Sequence, residues 1–444
     1  MEREIPMNRI SVKIFTLIAV TALVAALSGC GGSAATSGGG TLGEARPVKS
    51  KKVPRAGKVE ETDTSWYSAE GTEFKISGAG QLAGLAKLVN RGNRFAGKTI
   101  TLSGDVDLSG YNGDADFNEG KGWIPIGARF SIFKGDFDGG GNVVRGLYIN
   151  DPTLVHAGLF GRVDIGSVKN LGVEDADITA GKRTGAVAGG LNNGAGIEQC
   201  HSSGSVKGKD NVGGVVGTLE RKSKVSGCHS SAKVTGDNYV GGVIGDADGA
   251  SSVTKSYATG QISGNEAVGG VAGGILQKGS GVSNSYSTGK ITCGAKGGGV
   301  VGEVVDGAVV SNSYATGDVI GRTRVGGIAG HLKISGAIIR CVAINSSVKA
   351  TGKDGFAGRI LGQSDGSKSA SGGNAAFTGI QNNAGSTEWP AKGDKNKDGA
   401  DVTAIQISND GTVEGRFTTD AGWTAMNGML PGFKAAVRVP EHMR

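Results

Sequence analysis

Short apolar pieces, each broken after a few residues by Gly, Ser, Asn or Asp, return along this chain at a fixed interval. The pieces AGLFG, TGAVAG, VGGVVG, VGGVIG, VGGVAG, GGGVVG, VGGIAG and GFAG close on Gly161, Gly189, Gly217, Gly245, Gly273, Gly302, Gly330 and Gly358, a period of 28 residues with one slip to 29. A second apolar column keeps the same phase at Val168, Ile197, Val225, Val253, Val282, Val310 and Ile338. A third follows at Ile178, Val206, Val234, Ile262, Ile291, Val319 and Val348. Pieces this short and this rich in β-branched residues read as strands. A 28-residue unit cannot close a core alone, so each must stack on its neighbour. Parallel, in-register stacking predicts an all-β, right-handed β-solenoid, since parallel crossovers take that hand. At about 4.8 Å per strand pair, eight rungs span roughly 35–40 Å. A β-propeller fits less well, because its blades take about 40 residues or more. The recurrent glycines suit corners that need positive φ or close backbone approach.

One segment departs from this pattern. In QLAGLAKLVNRG, Gln81 to Gly92, the residues Leu82, Leu85, Leu88 and Val89 fall at helical spacing and Gly92 can end the helix. A helix just before the first strand would cover an edge that otherwise invites aggregation. The expected organisation is a signal peptide over 1–29, a tether over 30–65, a cap with the first rungs over 66–155, a solenoid over 156–362 and an end-covering segment over 363–444.

Composition narrows the class. Of 444 residues 83 are Gly and only 8 Pro, without a Gly-X-Y period, which excludes collagen. Hydrophobic residues at 37% are too many for a wholly disordered chain. The net charge of +7 is mild and spread out, which gives nucleic-acid binding little support. The single long apolar run, IFTLIAVTALVAAL, follows Arg9 and Lys13 and leads into LSGC, ending at Cys30. It is short for the roughly 20 residues of a membrane span and has the layout of a secretory signal. LSGC resembles the bacterial lipobox. That resemblance makes Cys30 the lipidated first residue of the mature protein, anchored in the cell envelope, with the outer membrane as the expected destination. The basic residues Lys49, Lys51, Lys52 and Arg55 could touch anionic lipid or wall polymer, or simply keep a linker solvated.

The repeats also resemble the GLUG motif of bacterial surface proteins, which occurs in regions of IgA-peptidase-type proteins and of large adhesins. AGLFG at Ala157 to Gly161 and its seven echoes carry the likeness. FAGKTITLSGDVDLSG from Phe95, WIPIG from Trp123 and FKGDFDGGGNVVRGLYI from Phe133 look like its usual lead-in. VTAIQI and GWTAMNGMLPGF, near the C-terminus, look like its closing segment. The resemblance implies fold strongly and function weakly.

Candidate chemistry sits after the second column. Leu171, Cys200, Cys228, Ser256, Ser285, Ser313 and Cys341 are read as facing inward, so the next residues, His201, His229, Tyr257, Tyr286 and Tyr314, face outward as an exposed ladder. The ladder is either a stripe that stacks carbohydrate or binds a partner, or a set of rings that stack on one another. Cys200 and Cys228 lie one period apart and are either buried thiols or a disulfide. His201 and His229 lack a third ligand for a metal. DKNKDG resembles the start of a calcium loop, with Asp394, Asn396 and Asp398 as candidate ligands, but Ile405 stands where a bidentate Glu belongs. An ordinary polar turn is the alternative. No zinc-protease helix, nucleophile elbow or Walker loop is present, and acids such as Asp237, Asp246, Asp248, Asp306 and Asp318 are assigned to turns. The expectation is a surface binding, adhesion or display module without enzymatic activity or cofactor. Its expected partners are the membrane, through the anchor, and a glycan or surface protein. The alternatives are a structural envelope component and a polysaccharide-active β-helix enzyme.

Overall fold

The computed structural model describes residues 59–444 apart from 114–116, 129 and 367–369. The signal stretch, Cys30 and the basic residues Lys49, Lys51, Lys52 and Arg55 lie outside the described residues. The chain is a β-solenoid. Its first face stacks eleven strands, from Glu73–Ile76 to Ala370–Gly372, and its third face stacks eight, from Phe160–Asp164 to Leu361–Ser364. The second face, between them, carries strands such as Gly172–Ala180, His201–Lys207 and Ile262–Gly269. Neighbouring turns pair in parallel, for example Val225 with Val253 and Val234 with Ile262.

Both apolar columns read from the sequence are inward rows of these faces. The second column stacks partner by partner on the first face and extends backwards through Phe137, Ile100 and Phe74. The third forms the inward row of the second face and begins one turn earlier, at Ile149. Each such Val or Ile is buried, and each contributes about 1.5–3 kcal/mol through the apolar surface removed from water. Val212, Gly213 and Val216 pair with Val240, Gly241 and Ile244, one turn on, as the period requires.

The glycines of this motif answer a spacing demand. None of Gly241, Gly242 and Gly245 has a left-handed φ. A Cβ on Gly241 would instead lie 2.0 Å from the carbonyl oxygen of Ile244, and one on Gly242 would lie 2.3 Å from that of Gly270. The left-handed corner between the first and second faces is held by Asn170, Gln199, Lys255, Asn284, Asn312 and Arg340, with φ between 45° and 54°, and by Gly227 and Gly373.

The eighth repeat needs a correction. Gly358 is paired with Gly326, so it is not the closing glycine. Leu361 pairs with Ala329, which places Gly362 opposite Gly330 after a four-residue insertion. Arg359 then occupies the position of Gly327, where a Cβ would strike the carbonyl of Arg359 itself at 2.1 Å. On the last turn no further rung crowds that position, so a side chain fits. Arg359 is fully buried; its Nε donates to the carbonyl of Asp398 and its guanidinium pairs with Asp401 at 2.7 Å.

The ends also differ from expectation. The helix α1, Ala79–Asn90, follows the first strand, because the alternating EFKI of Glu73–Ile76 already buries Phe74 and Ile76 against the next turn. Leu82, Leu85 and Val89 enter the core. Residues 60–65, read as tether, pack on the helix: Asp63 N–H donates to Gly80 O and the Glu60 carboxylate accepts from Gly80 N–H. Gly84 makes room, since a Cβ there would sit 1.9 Å from Asp63 O.

Candidate functional site

The corner between the first and second faces turns one residue inward and the next outward. The inward residues Cys200, Cys228, Ser256, Ser285, Ser313 and Cys341 are all fully buried. They also complete the backbone: Cys228 N–H donates to Ser256 Oγ, Ser256 N–H to Ser285 Oγ and Ser285 N–H to Ser313 Oγ, each at 3.2 Å. A thiol does the same job for Cys200, whose N–H donates to Cys228 Sγ at 3.4 Å. The four described cysteines are free thiols. Burial pushes Cys293 and Cys341 up to about 12 and Cys200 well above the usual range, so none of these three is an activated nucleophile.

The outward residues form the expected ladder. Consecutive ring centroids from His201 to Tyr314 are 5.2, 4.8, 4.6 and 5.0 Å apart, with planes within 11° of parallel. Gly172 ends the row below, where a Cβ would lie 2.6 Å from the His201 ring, and Val342 ends it above. Stacking face to face leaves ring edges, not ring faces, for any ligand. A sugar that stacks on a ring therefore has no platform between rungs. Nor do the His201 and His229 rings, parallel and 5.2 Å apart, converge on one ion at about 2.0–2.1 Å.

The ladder is not uniformly exposed, which corrects the reading of a free stripe. Tyr286 is 4% exposed and Tyr314 is 0% exposed, because the C-terminal segment folds back over them. Phe417, Trp423 and Phe433 pack on these two tyrosines at centroid distances of 5.5–6.2 Å, and Tyr314 Oη donates to Pro431 O at 2.6 Å. Further on, the His442 ring bonds Ile344 O. Burial raises the phenol pKa of Tyr257, Tyr286 and Tyr314. His201, His229 and Tyr257 stay partly exposed. Burial, with His201 and Lys434 nearby, holds His229 down at about 4, so its imidazole is neutral. His201 Nε2 meets Glu174 at 3.1 Å, and Glu174 meets Arg145, which reaches Asp105. The open end of the ladder is thus a line of imidazole edges continued by charged groups.

A second arrangement was not found by sequence reasoning. Where the second face bends into the third, His156, Arg183, Asn211, Tyr239, Ala267, Lys296 and Arg324 occupy successive turns with φ between 52° and 65°. They lie over the outward row of the third face, which includes Gly190, Thr218, Asp246, Gly274, Glu303 and His331. Bulk and gap alternate: the His156 ring fills the notch at Gly190 and the Tyr239 ring the one at Gly274. Lys296 bridges Glu266 and Glu303 at 2.6 and 3.0 Å, and His331, fully buried, lies between Glu303 and Asp365. Burial pushes Glu303 up, but bonds from His331, Lys333 and Lys296 outweigh it and hold the carboxyl at about 2. Asp246, assigned to a turn from sequence, lies instead in the buried strand Ile244–Ala247. The available signal was two columns at the same period: the residue two places before the first glycine that the motifs share, from His156 to Arg324, polar or aromatic except at Ala267, and the residue after each closing Gly, polar except at Gly190 and Gly274.

The calcium-like loop is used by the fold. Asp394 Oδ2 accepts from Gly373 N–H, Asn396 Nδ2 donates to Lys392 O, and the two oxygens of Asp398 accept from the N–H groups of Arg359 and Ala391. Lys397 O receives the N–H groups of Ile360 and Leu361, so the loop covers the edge of the last third-face turn. Of the segment expected to cover the end, this part does so, and the part beyond Thr403 covers the flank.

No family model matches the chain. Halomucin of Haloquadratum walsbyi is 33% identical over 127 residues, 28% of this chain but 1% of that protein. A candidate Gly-rich membrane protein of Evansella cellulosilytica is 31% identical over 147 residues, 30% of this chain and 16% of that one. The chain therefore spans a small part of the length of either relative. A crystal structure of a candidate immunoglobulin A1 protease from Bacteroides ovatus covers 82% of this chain and 92% of its own, at 18% identity and a TM-score of 0.44.

Proposed function

We propose that this protein is a lipid-anchored bacterial envelope protein whose β-solenoid is a non-enzymatic binding or display module, of the kind that carries GLUG repeats. Cys30 is the anchor, and Gly31 and Gly32 after it, with no Asp to resemble the inner-membrane retention signal, favour the outer membrane. The observation that carries the binding role is the division of the ladder: its C-terminal half is sealed by the chain itself, while His201, His229 and Tyr257 remain half-open beside Glu174 and Arg145. A ligand here would be a glycan or a surface protein that meets ring edges and charged groups with hydrogen bonds. A glycan and envelope-polymer screen of the full chain tests this reading, run beside a His201→Ala/His229→Ala variant. A ligand that the wild type retains and the folded variant loses supports the module. The ring faces, closed on one another, favour a second reading, a structural envelope component without a ligand; a wild type that retains nothing in the screen supports that one.

The anchor has its own test. Cys30→Ser is expected to leave unprocessed, unlabelled precursor in the membrane fraction, measured by radiolabelled palmitate and by gel mobility. A variant that matures and takes label as the wild type does removes Cys30 as the lipidation site.

A further inference from the structure

Among the charged groups of the bend, Asp246 stands apart. It is 7% exposed, and its Oδ1 has no hydrogen-bond partner. Thr218 and Asn211 bond the carboxylate from the preceding turn. The groups that face it are few. Arg183 is the cation that acts on it, but it is engaged by Glu220 at 3.0 Å and by His156 at 3.1 Å. Glu220 adds negative charge from the third face. Tyr239, whose ring closes the notch at Gly274, faces it from the second face, with Lys296, Glu303 and Glu266 on the far side of that ring. The site thus encloses a carboxyl without a counter-ion and leaves one oxygen unpaired. An ionised carboxylate so placed is unfavourable, whereas its neutral form loses far less on burial.

We propose that Asp246 is a proton-binding site that makes the packing of this bend respond to ambient pH. In acid the neutral carboxyl fits the enclosure. Above neutrality the carboxylate loosens the contact of Asn211 and Tyr239 with the third-face strand. The direction of linkage follows from a folded-state pKa raised by burial, from 3.8 to about 6. Across that window the folded chain keeps a proton that the unfolded chain has released, so stability falls as pH rises and is flat above it. For a protein carried outside the cell membrane, this couples a local surface to the pH of the medium.

The test compares the full chain with Asp246→Asn, an isosteric neutral side chain, in thermal melts from pH 4.5 to 8. The variant's advantage in melting temperature over the wild type should grow by a few degrees between pH 4.5 and about 6.5 and stay constant above that. Parallel curves overturn the proposal. A wild-type melting point at pH 7.5 raised by calcium chloride, with the variant unmoved, also overturns it, because the unpaired oxygen would then belong to a cation. Hydrogen exchange of the wild type keeps the test open if the variant misfolds. After correction for intrinsic rates, amides of Ile244–Ala247 should open roughly tenfold or more between pH 5 and 7.5 relative to those of Ala272–Ile275. Equal change in the two strands overturns the proposal.

Discussion

Val243→Asp is expected to lower the free energy of unfolding by about 4–5 kcal/mol or more, measured by chemical denaturation. Val243 is fully buried in a column with Val187, Val215, Val271, Val300, Ile328 and Ile360. Its backbone is fixed on both sides: its carbonyl accepts from Val215 N–H and its N–H donates to Val271 O, at 2.9 Å each. The turn therefore cannot slide to bring the new carboxylate to water. Neighbouring valines offer no donor, so the charge is either buried unpaired or neutralised at a cost. Gly241 and Gly242, close against the next turns, block the backbone from swinging outward. Lys233→Asp, on an exposed outward position nearby, is the control and should stay within about 0.5 kcal/mol. Similar losses for the two variants would mean that the repeats do not stack in this register.

That register was legible because it rests on a local rule applied many times. Val225, Val253 and Val282 recur at one phase, and in a parallel stack equal phase means contact. What stayed hidden has a different physical origin. The Gly358 register failed because four inserted residues moved the motif, and a GxxG match does not distinguish the first glycine from the last. The role of Arg359 depends on there being no next rung, which is a property of the array and not of the residue. Lys296 and Glu303 were invisible as partners because they stand on two faces of one turn, joined only by the bend, and Glu303 and His331 because the row they share holds Gly in other turns, at Gly190 and Gly274. The rings of Tyr286 and Tyr314 were read correctly as outward, but outward from a rung is not the same as exposed. Nothing in alternation tells that Phe417, Trp423 and Phe433, about a hundred residues later, return to that flank.

This last point decides what the ladder should do when it is removed. Were the tyrosines free-standing, changing Tyr257, Tyr286 and Tyr314 to Ser would cost only stacking, about 0.5–1.5 kcal/mol per pair, and the solenoid would survive with little change. The cover makes the loss larger and gives it a place. Tyr314 is fully buried and loses both its ring packing and its bond to Pro431 O, comparable to truncating a core aromatic at about 3–5 kcal/mol. Tyr286 contributes the second platform for Trp423 and Phe433. The triple variant is therefore expected to release residues 404–443 from the flank before the stacked turns unfold. Limited proteolysis should cut within that segment at protease levels the wild type withstands, and the Trp423 environment should become polar. His201→Ser/His229→Ser, at the open end, should leave the segment in place, because those rings touch no part of its aromatic cluster. A triple variant with an intact segment and an unchanged melting temperature would show that the ladder does not hold the cover, and would return Tyr286 and Tyr314 to the list of residues a ligand could reach.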